Sequence, residues 1–145
     1  MRKRHIILVI CCLLGMQLSA ATQPGKPTGN ERIFLHHQGK VSLYAADKLS
    51  EAIEASVDGD TLFLSNGNYG FAPASDGSKV YYAAKPINVT KSVCLVGEGE
   101  DTYVGALAIS LADSKKACHL YGIKSSLAVN QDMTQLDIQK SYVQL

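Results

Sequence analysis

The chain has 145 residues, with 14 Lys and Arg against 13 Asp and Glu, a formal net charge of +1 and 46% hydrophobic residues. That balance supplies no basic patch for nucleic acid and no polybasic attraction to an anionic membrane, and it suffices for one modest core rather than several domains. Four cysteines in this length exclude a scaffold held mainly by disulfides.

Arg2, Lys3 and Arg4 precede an apolar run from Ile6 to Leu14, and the small residues Ser19, Ala20 and Ala21 follow it. This order is that of a secretory signal peptide, and the run is too short to span a bilayer permanently. Cleavage after Ala21, with Ser19 at the third position back, leaves about 124 residues carrying 11 Lys and Arg against 13 Asp and Glu, a net charge of −2. Cys11 and Cys12 suggest a lipid anchor, but Ile10 and Cys11 stand where a lipobox needs a small residue. Export without lipidation is expected. Cys94 and Cys118 remain after processing; two separate thiols are expected, with pairing left open.

Residues 22–44 read as a flexible leader followed by strand. Thr22 to Glu31 carries two Pro and two Gly without apolar periodicity, and Ile33-Phe34-Leu35 and Val41-Ser42-Leu43 flank Gly39 as a strand or small hairpin. The period then changes. Leu49, Ala52, Ile53 and Ser56 fall at i, i+3, i+4 and i+7 with Glu51 and Glu54 facing away, which predicts an amphipathic helix over about 45–56 ended by Gly59.

Beyond Asp60 the pattern alternates with a period near two and shows no second helix. Leu62-Phe63-Leu64, Val93-Cys94-Leu95, Leu107-Ala108-Ile109, Leu127-Ala128-Val129 and Val143-Gln144-Leu145 repeat apolar, variable, apolar. A second register holds Cys118-His119-Leu120 and Leu136-Asp137-Ile138, and Lys91-Ser92, Lys124-Ser125 and Lys140-Ser141 precede three of the first-register strands. Loose repeats of this kind, with insertions absorbed in turns, predict a solenoid whose first rung is covered by the helix. The expected fold is all-β: a short single-stranded parallel β-helix over residues 45–145 with an N-terminal amphipathic cap helix, its right-handed coil being what the resemblance given next implies.

Leu49-Ser-Glu-Ala-Ile-Glu-Ala-Ser, Asp58-Gly-Asp-Thr-Leu-Phe-Leu, Gly67-Asn-Tyr and the strand from Ile87 to Gly97 resemble the N-terminal cap and first rungs of the pectate-lyase-like right-handed parallel β-helix family. The resemblance covers about residues 45 to 100, and 101 to 145 match only as repeat texture. It implies the fold but not an activity, because that fold hosts lyases, hydrolases, adhesins and noncatalytic proteins. Family enzymes cleave sugars with clustered carboxylates and a basic residue or with paired Asp. Beyond Glu100 this chain has only Asp101, Asp113, Asp132 and Asp137 as acids and no Arg, so no catalytic residue is carried over.

The residues themselves favour turn chemistry over a ligand site. Gly59, Asp60 and Thr61 are expected to turn out of the helix into a strand with Leu62 and Leu64 inward and Phe63 outward, and Gly67 and Tyr69 to form the next corner, the ring packed over it. Asp58, Asp60, Asn66 and Asn68 lack calcium-loop spacing, because Leu62 and Leu64 stand where oxygen ligands belong. Gly97-Glu-Gly-Glu-Asp-Thr lacks the third glycine of a dinucleotide fingerprint, and His36-His37 has no further ligand at metal spacing. No metal and no cofactor are assigned. Asn88-Val-Thr90 is a formal glycosylation sequon.

Aligning the second-register strands sets His119 beside Asp137, both outward, as a weak surface pair. The outward ladder is expected to run Phe63, Cys94, Ala108, Ala128, Gln144, with Tyr69, Tyr81, Tyr82, Tyr103, Tyr121 and Tyr142 offering stacking surfaces for sugars or, more simply, packing at corners. Val143-Gln-Leu145 lies inside a strand with no capping rung after it, which predicts an open C-terminal end that a partner or self-association covers, or a truncated chain. Two functions follow: an exported noncatalytic β-helix domain in surface or polysaccharide binding, or the N-terminal part of a polysaccharide lyase or glycoside hydrolase whose catalytic rungs lie beyond Leu145.

Overall fold

The computed structural model describes residues 25–113, 115–129, 136–139 and 141–144. The signal peptide expected over 1–21, the first leader residues, Lys140 and Leu145 lie outside them. The chain is mostly β. Its elements are β1 (Arg32–His37), β2 (Lys40–Ala45), a 3-10 turn (Ala46–Lys48), α1 (Leu49–Ala55), β3 (Thr61–Leu64), β4 (Gly67–Tyr69), β5 (Phe71–Pro73), β6 (Tyr81–Ala83), β7 (Ile87–Val89), β8 (Cys94–Gly97), β9 (Thr102–Ile109), β10 (Cys118–Tyr121), β11 (Lys124–Val129), β12 (Leu136–Gln139) and β13 (Tyr142–Gln144).

These strands make a six-stranded sheet in the order β12-β10-β8-β3-β1-β2 and a five-stranded sheet in the order β13-β11-β9-β4, to which β7 adds by pairing with β9. From β8 onward the chain alternates between the two sheets, so β8-β9, β10-β11 and β12-β13 are successive rungs. Each strand lies parallel to its counterpart in the next rung. The first rung is β3-β4, interrupted by the antiparallel β5-β6 hairpin and completed by β7. That hairpin absorbs the longest spacing in the repeat, and the sequence pattern gave no warning of it.

Register stacks like on like. Leu62 lies opposite Leu95, Leu95 opposite Leu120 and Leu120 opposite Ile138. In the second sheet Ile87 meets Leu107 and Leu107 meets Leu127. Leu62, Leu95 and Leu107 are fully buried, and each such side chain contributes roughly 1.5–3 kcal/mol. Because strand side chains alternate faces, this inner ladder sets the outer one.

The cap is composite. The hairpin turn carries Gln38 and Gly39 at φ 46° and 77°, as a type I′ turn requires, and β1 then pairs antiparallel with β3. β1, rather than the helix, thus satisfies the backbone edge of the first rung, and its Ile33 and Leu35 enter the core. The hairpin therefore belongs to the same sheet as the rungs. α1 buries Leu49, Ala52 and Ile53 as its period predicts, while Glu51 and Glu54 stay exposed. The Lys91 ammonium donates to the carbonyls of Ser56 at 2.6 Å, Ile53 at 3.4 Å and Glu54, so a cation occupies the negative end of the helix.

From Gly25 the leader makes specific hydrogen bonds, the Gly25 N–H to Asn68 Oδ1 at 2.9 Å among them. Glu31 is buried and its carboxylate accepts from the backbone N–H groups of Thr28 (2.6 Å), Gly29 (2.8 Å) and Asn68 (3.1 Å). Burial alone raises its pKa, but these donors outweigh it and hold the carboxyl below its usual range.

Gly97 and Gly122 mark where neighbouring rungs approach most closely. A Cβ on Gly97 would press into the Gly122 carbonyl and the Thr102 side chain. Gly97→Ala is expected to lower the unfolding free energy in urea by about 2–3 kcal/mol. An unchanged midpoint and slope would contradict this close approach.

Candidate functional site

The acidic stretch after the helix resolves into separate local bonds. Gly59 takes φ 92°, and Thr61 opens β3. Asp60 is buried and accepts from the Val57 N–H at 2.8 Å and from His37 Nδ1 at 2.7 Å. Asp58 faces solvent, pairs with Lys116 at 2.5 Å and accepts from the Ser92 N–H at 2.8 Å. Asn66 and Asn68 bond elsewhere, so the four polar residues do not converge. Among the described residues no group of three or more His, Cys, Asp or Glu is placed to hold a metal.

Gly67 and Tyr69 begin the second sheet as β4 instead of forming only a corner. Gly67 has φ 144°, and the Tyr69 ring is fully buried rather than laid over the turn. Its hydroxyl lies 2.8 Å from the Ser65 carbonyl oxygen and 3.0 Å from that of Arg32, which ties the hairpin to the first rung. A tyrosine fully inside is favourable here because its one polar atom finds these partners.

The exposed chemistry gathers on the outer face of the six-stranded sheet, as two rows running across the strands. In the first, the register sets Leu43, Phe34, Phe63, Val96, Tyr121 and Gln139 side by side. Leu43 is 62% exposed, Phe63 41% and Phe34 37%, an unusual run of apolar surface. The second row sets Val41, His36, Thr61, Cys94, His119 and Asp137 side by side. His36 packs edge-on against Phe63, with ring centroids 4.8 Å apart, and so joins the rows.

The expected ladder of Phe63, Cys94, Ala108, Ala128 and Gln144 is therefore not one ladder. Phe63 pairs with Val96, Cys94 with Thr61 and His119, and Ala108 with Ala128 in the other sheet, where Gln144 pairs with Ser126. The apolar, variable, apolar triplet is identical in both sheets, so the triplet alone cannot assign a strand to one. Spacing carries the missing signal. A full rung takes 18 residues from His119 to Asp137 and 25 from Cys94 to His119, whereas the 14 from Val93 to Leu107 make only part of one.

The His119-Asp137 pair forms as its register predicts. His119 Nδ1 lies 2.9 Å from Asp137 Oδ2, with both side chains about half exposed. The carboxylate accepts only, so Nδ1 is the donor in this pair. The imidazole holds the Asp137 carboxyl below its usual range, and Gln139 Nε2, 3.2 Å from Oδ2, adds to that. One rung earlier stands Cys94, half-buried, whose thiol is pushed up by burial and further by the Asp137 charge. Cys94, Val96, His119, Tyr121, Asp137 and Gln139 line a shallow groove of about 370 Å³. Cys118 points to the opposite face, fully buried, and burial pushes its thiol up to about 12. Both thiols are free.

A larger hollow of about 660 Å³ lies among the leader, the start of the cap and the segment before β7. Its polar groups already serve the leader: Asn68 Nδ2 donates to the Lys26 carbonyl at 2.6 Å, and Arg32 Nη1 to that of Glu31 at 2.6 Å. The outer sheet face, where the exposed apolar row and the His119-Asp137 pair lie side by side, is the better site.

Comparison with protein-family models, with curated proteins and with solved structures finds no match to this chain.

Asp60 and Asp137 separate structure from site. Burial raises the Asp60 pKa, but the Val57 N–H and His37 outweigh it and leave the carboxyl below its usual range. A depressed folded pKa means stability that is present above the unfolded value and lost as pH falls through the folded one. Asp60→Asn is expected to cost about 1–3 kcal/mol near neutral pH and to flatten the loss of stability below about pH 4. Asp137→Asn, at an exposed pair, should leave the urea midpoint unchanged. Equal effects from the two substitutions would show this division to be wrong.

Proposed function

We propose that the chain is an exported, noncatalytic binding domain: a short right-handed parallel β-helix of pectate-lyase-like type whose six-stranded sheet holds a polysaccharide on its outer face. The alternation of the chain between two sheets, with parallel in-register partners rung after rung, supports the coil. The amphipathic helix and the Gly59-Asp60-Thr61 turn support the family, and the charged, apolar and small-residue order of the first 21 residues supports export.

One observation carries the binding reading: the row of Phe34, Phe63, Val96, Tyr121 and Gln139 across the strands, flanked by His36, Thr61, His119 and Asp137. Aromatic faces take the apolar C–H face of a sugar ring, and a line of donors and acceptors beside them takes its hydroxyls. A row perpendicular to the strands suits an extended chain. Successive positions lie about 4.8 Å apart, the spacing of the backbone ladder, so one chain reaches several rungs at once.

Isothermal titration of the mature protein against a neutral β-glucan and against polygalacturonate tests this. Binding to at least one is expected, weakened about tenfold or more by the double substitution Phe63→Ala and Tyr121→Ala, since this removes two of the aromatic faces on which the sugar rings would pack. Absence of binding to both, together with a dimer in sedimentation that Phe63→Ala abolishes, would make the face a protein interface and overturn the proposal.

A further inference from the structure

The polysaccharide reading leaves open which class of glycan the outer face takes, and the charges on that face bear on it. The aromatic row and the polar row both cross β1, β3, β8, β10 and β12. They lie two residues apart along each strand, about 6.6 Å, so a sugar ring seated on the first turns an edge toward the second. Contacts join the rows at both ends: the His36 ring packs against Phe63, and Gln139 Nε2 lies 3.2 Å from Asp137 Oδ2.

Neither row holds a Lys or an Arg. Cations in the flanking sequence are turned to other partners. The Arg32 guanidinium, two residues before Phe34, donates to the Gly29 and Glu31 carbonyls at 3.3 and 2.6 Å. The Lys116 ammonium, two residues before β10, pairs with Asp58 at 2.5 Å, and Lys40 alternates to the face opposite Val41. The one carboxylate in the rows, that of Asp137, is met by His119 Nδ1 at 2.9 Å and by the Gln139 amide. These donors hold the carboxyl below its usual range, so it stays charged and keeps lone pairs for a further donor.

We infer that the face takes a neutral glycan, a chain of uncharged pyranose rings lying across the strands, and not a polyuronate. The inference rests on the polysaccharide reading. A polyuronate carries a carboxylate on each ring, so across five strands it would set a line of anions on a face without Lys or Arg, where they lose water and gain no charged partner. A neutral ring brings an apolar C–H face for Phe63 and Tyr121, and its hydroxyls donate to the lone pairs that Asp137 has left over. A hydroxyl on a carboxylate is a charge-assisted bond, stronger than one between neutral groups. A polycation gains little, because Asp137 is the only acid in the rows and its charge already faces two donors.

Isothermal titrations of the folded mature protein with a neutral β-glucan and with polygalacturonate, each at low and at high sodium chloride, test the inference. The β-glucan is expected to bind at least about tenfold more tightly, since unpaired charge is what rejects the polyuronate. Its affinity should not move with salt, because no charge pair forms. Asp137→Asn should weaken it about three- to tenfold while the circular dichroism spectrum stays unchanged. Equal or tighter binding of polygalacturonate, lost in Phe63→Ala with Tyr121→Ala, would overturn the neutral-glycan inference and leave the polysaccharide reading standing. Binding of neither polymer would overturn both. A β-glucan affinity that falls with salt, or that is unchanged in Asp137→Asn, would also overturn the inference.

Discussion

Backbone hydrogen bonding between successive rungs is the constraint from which the rest of the structure follows. Once Leu62, Leu95, Leu120 and Ile138 stack in register on the inner face, the outer face has no freedom left: Thr61, Cys94, His119 and Asp137 must form one row, and Phe63, Val96, Tyr121 and Gln139 the next. A shift of one residue in any strand would bury a polar row and expose a leucine, so the core enforces the site's register. The site inherits its spacing from the peptide ladder and its order from the order of the rungs.

The same constraint explains the effort spent at the beginning of the chain. A parallel strand at the edge of a sheet offers unpaired N–H and C=O groups, and β1 fills those of β3 by arriving antiparallel from a tight hairpin. Glu31 and Tyr69 then fasten that hairpin. The carboxylate gathers N–H groups from the leader and from β4, and the phenol reaches carbonyls on both sides of the junction. A carboxylate inside a protein is tolerable only with such partners, which makes Glu31 a fixed anchor and not an available acid.

How far the sequence speaks depends on whether the bond in question leaves a periodic trace. Leu49, Ala52 and Ile53 are spaced for a helix, and Gly39 between two apolar runs for a hairpin, so both elements are legible. His119 and Asp137 are legible as partners because their triplets belong to the same sheet, and like triplets align. Cys94 is misassigned on two counts: Val93-Cys94-Leu95 looks like Leu107-Ala108-Ile109 but serves the other sheet, and within its own sheet it aligns with Cys118-His119-Leu120 while slipping two residues against Leu62-Phe63-Leu64. Glu31, Tyr69 and Lys91 are illegible because their partners are backbone atoms, which every residue type supplies. The β5-β6 hairpin is hidden by Gly and Pro turns that read as an ordinary loop.

Outer-face residues are free of the packing that dictates Leu95 or Leu107, and water favours polar side chains there. Leu43, Phe34, Phe63 and Val96 run against that preference along a single row, where scattered exposed apolar residues would need no explanation. The row beside them is more polar, with His36 and Thr61 toward the β1 end and imidazole and carboxylate meeting at the β10-β12 end. Solvent does not select a row; the polysaccharide proposed above, lying across several strands, would use one, and a row is an arrangement that a parallel ladder produces without any loop to build it.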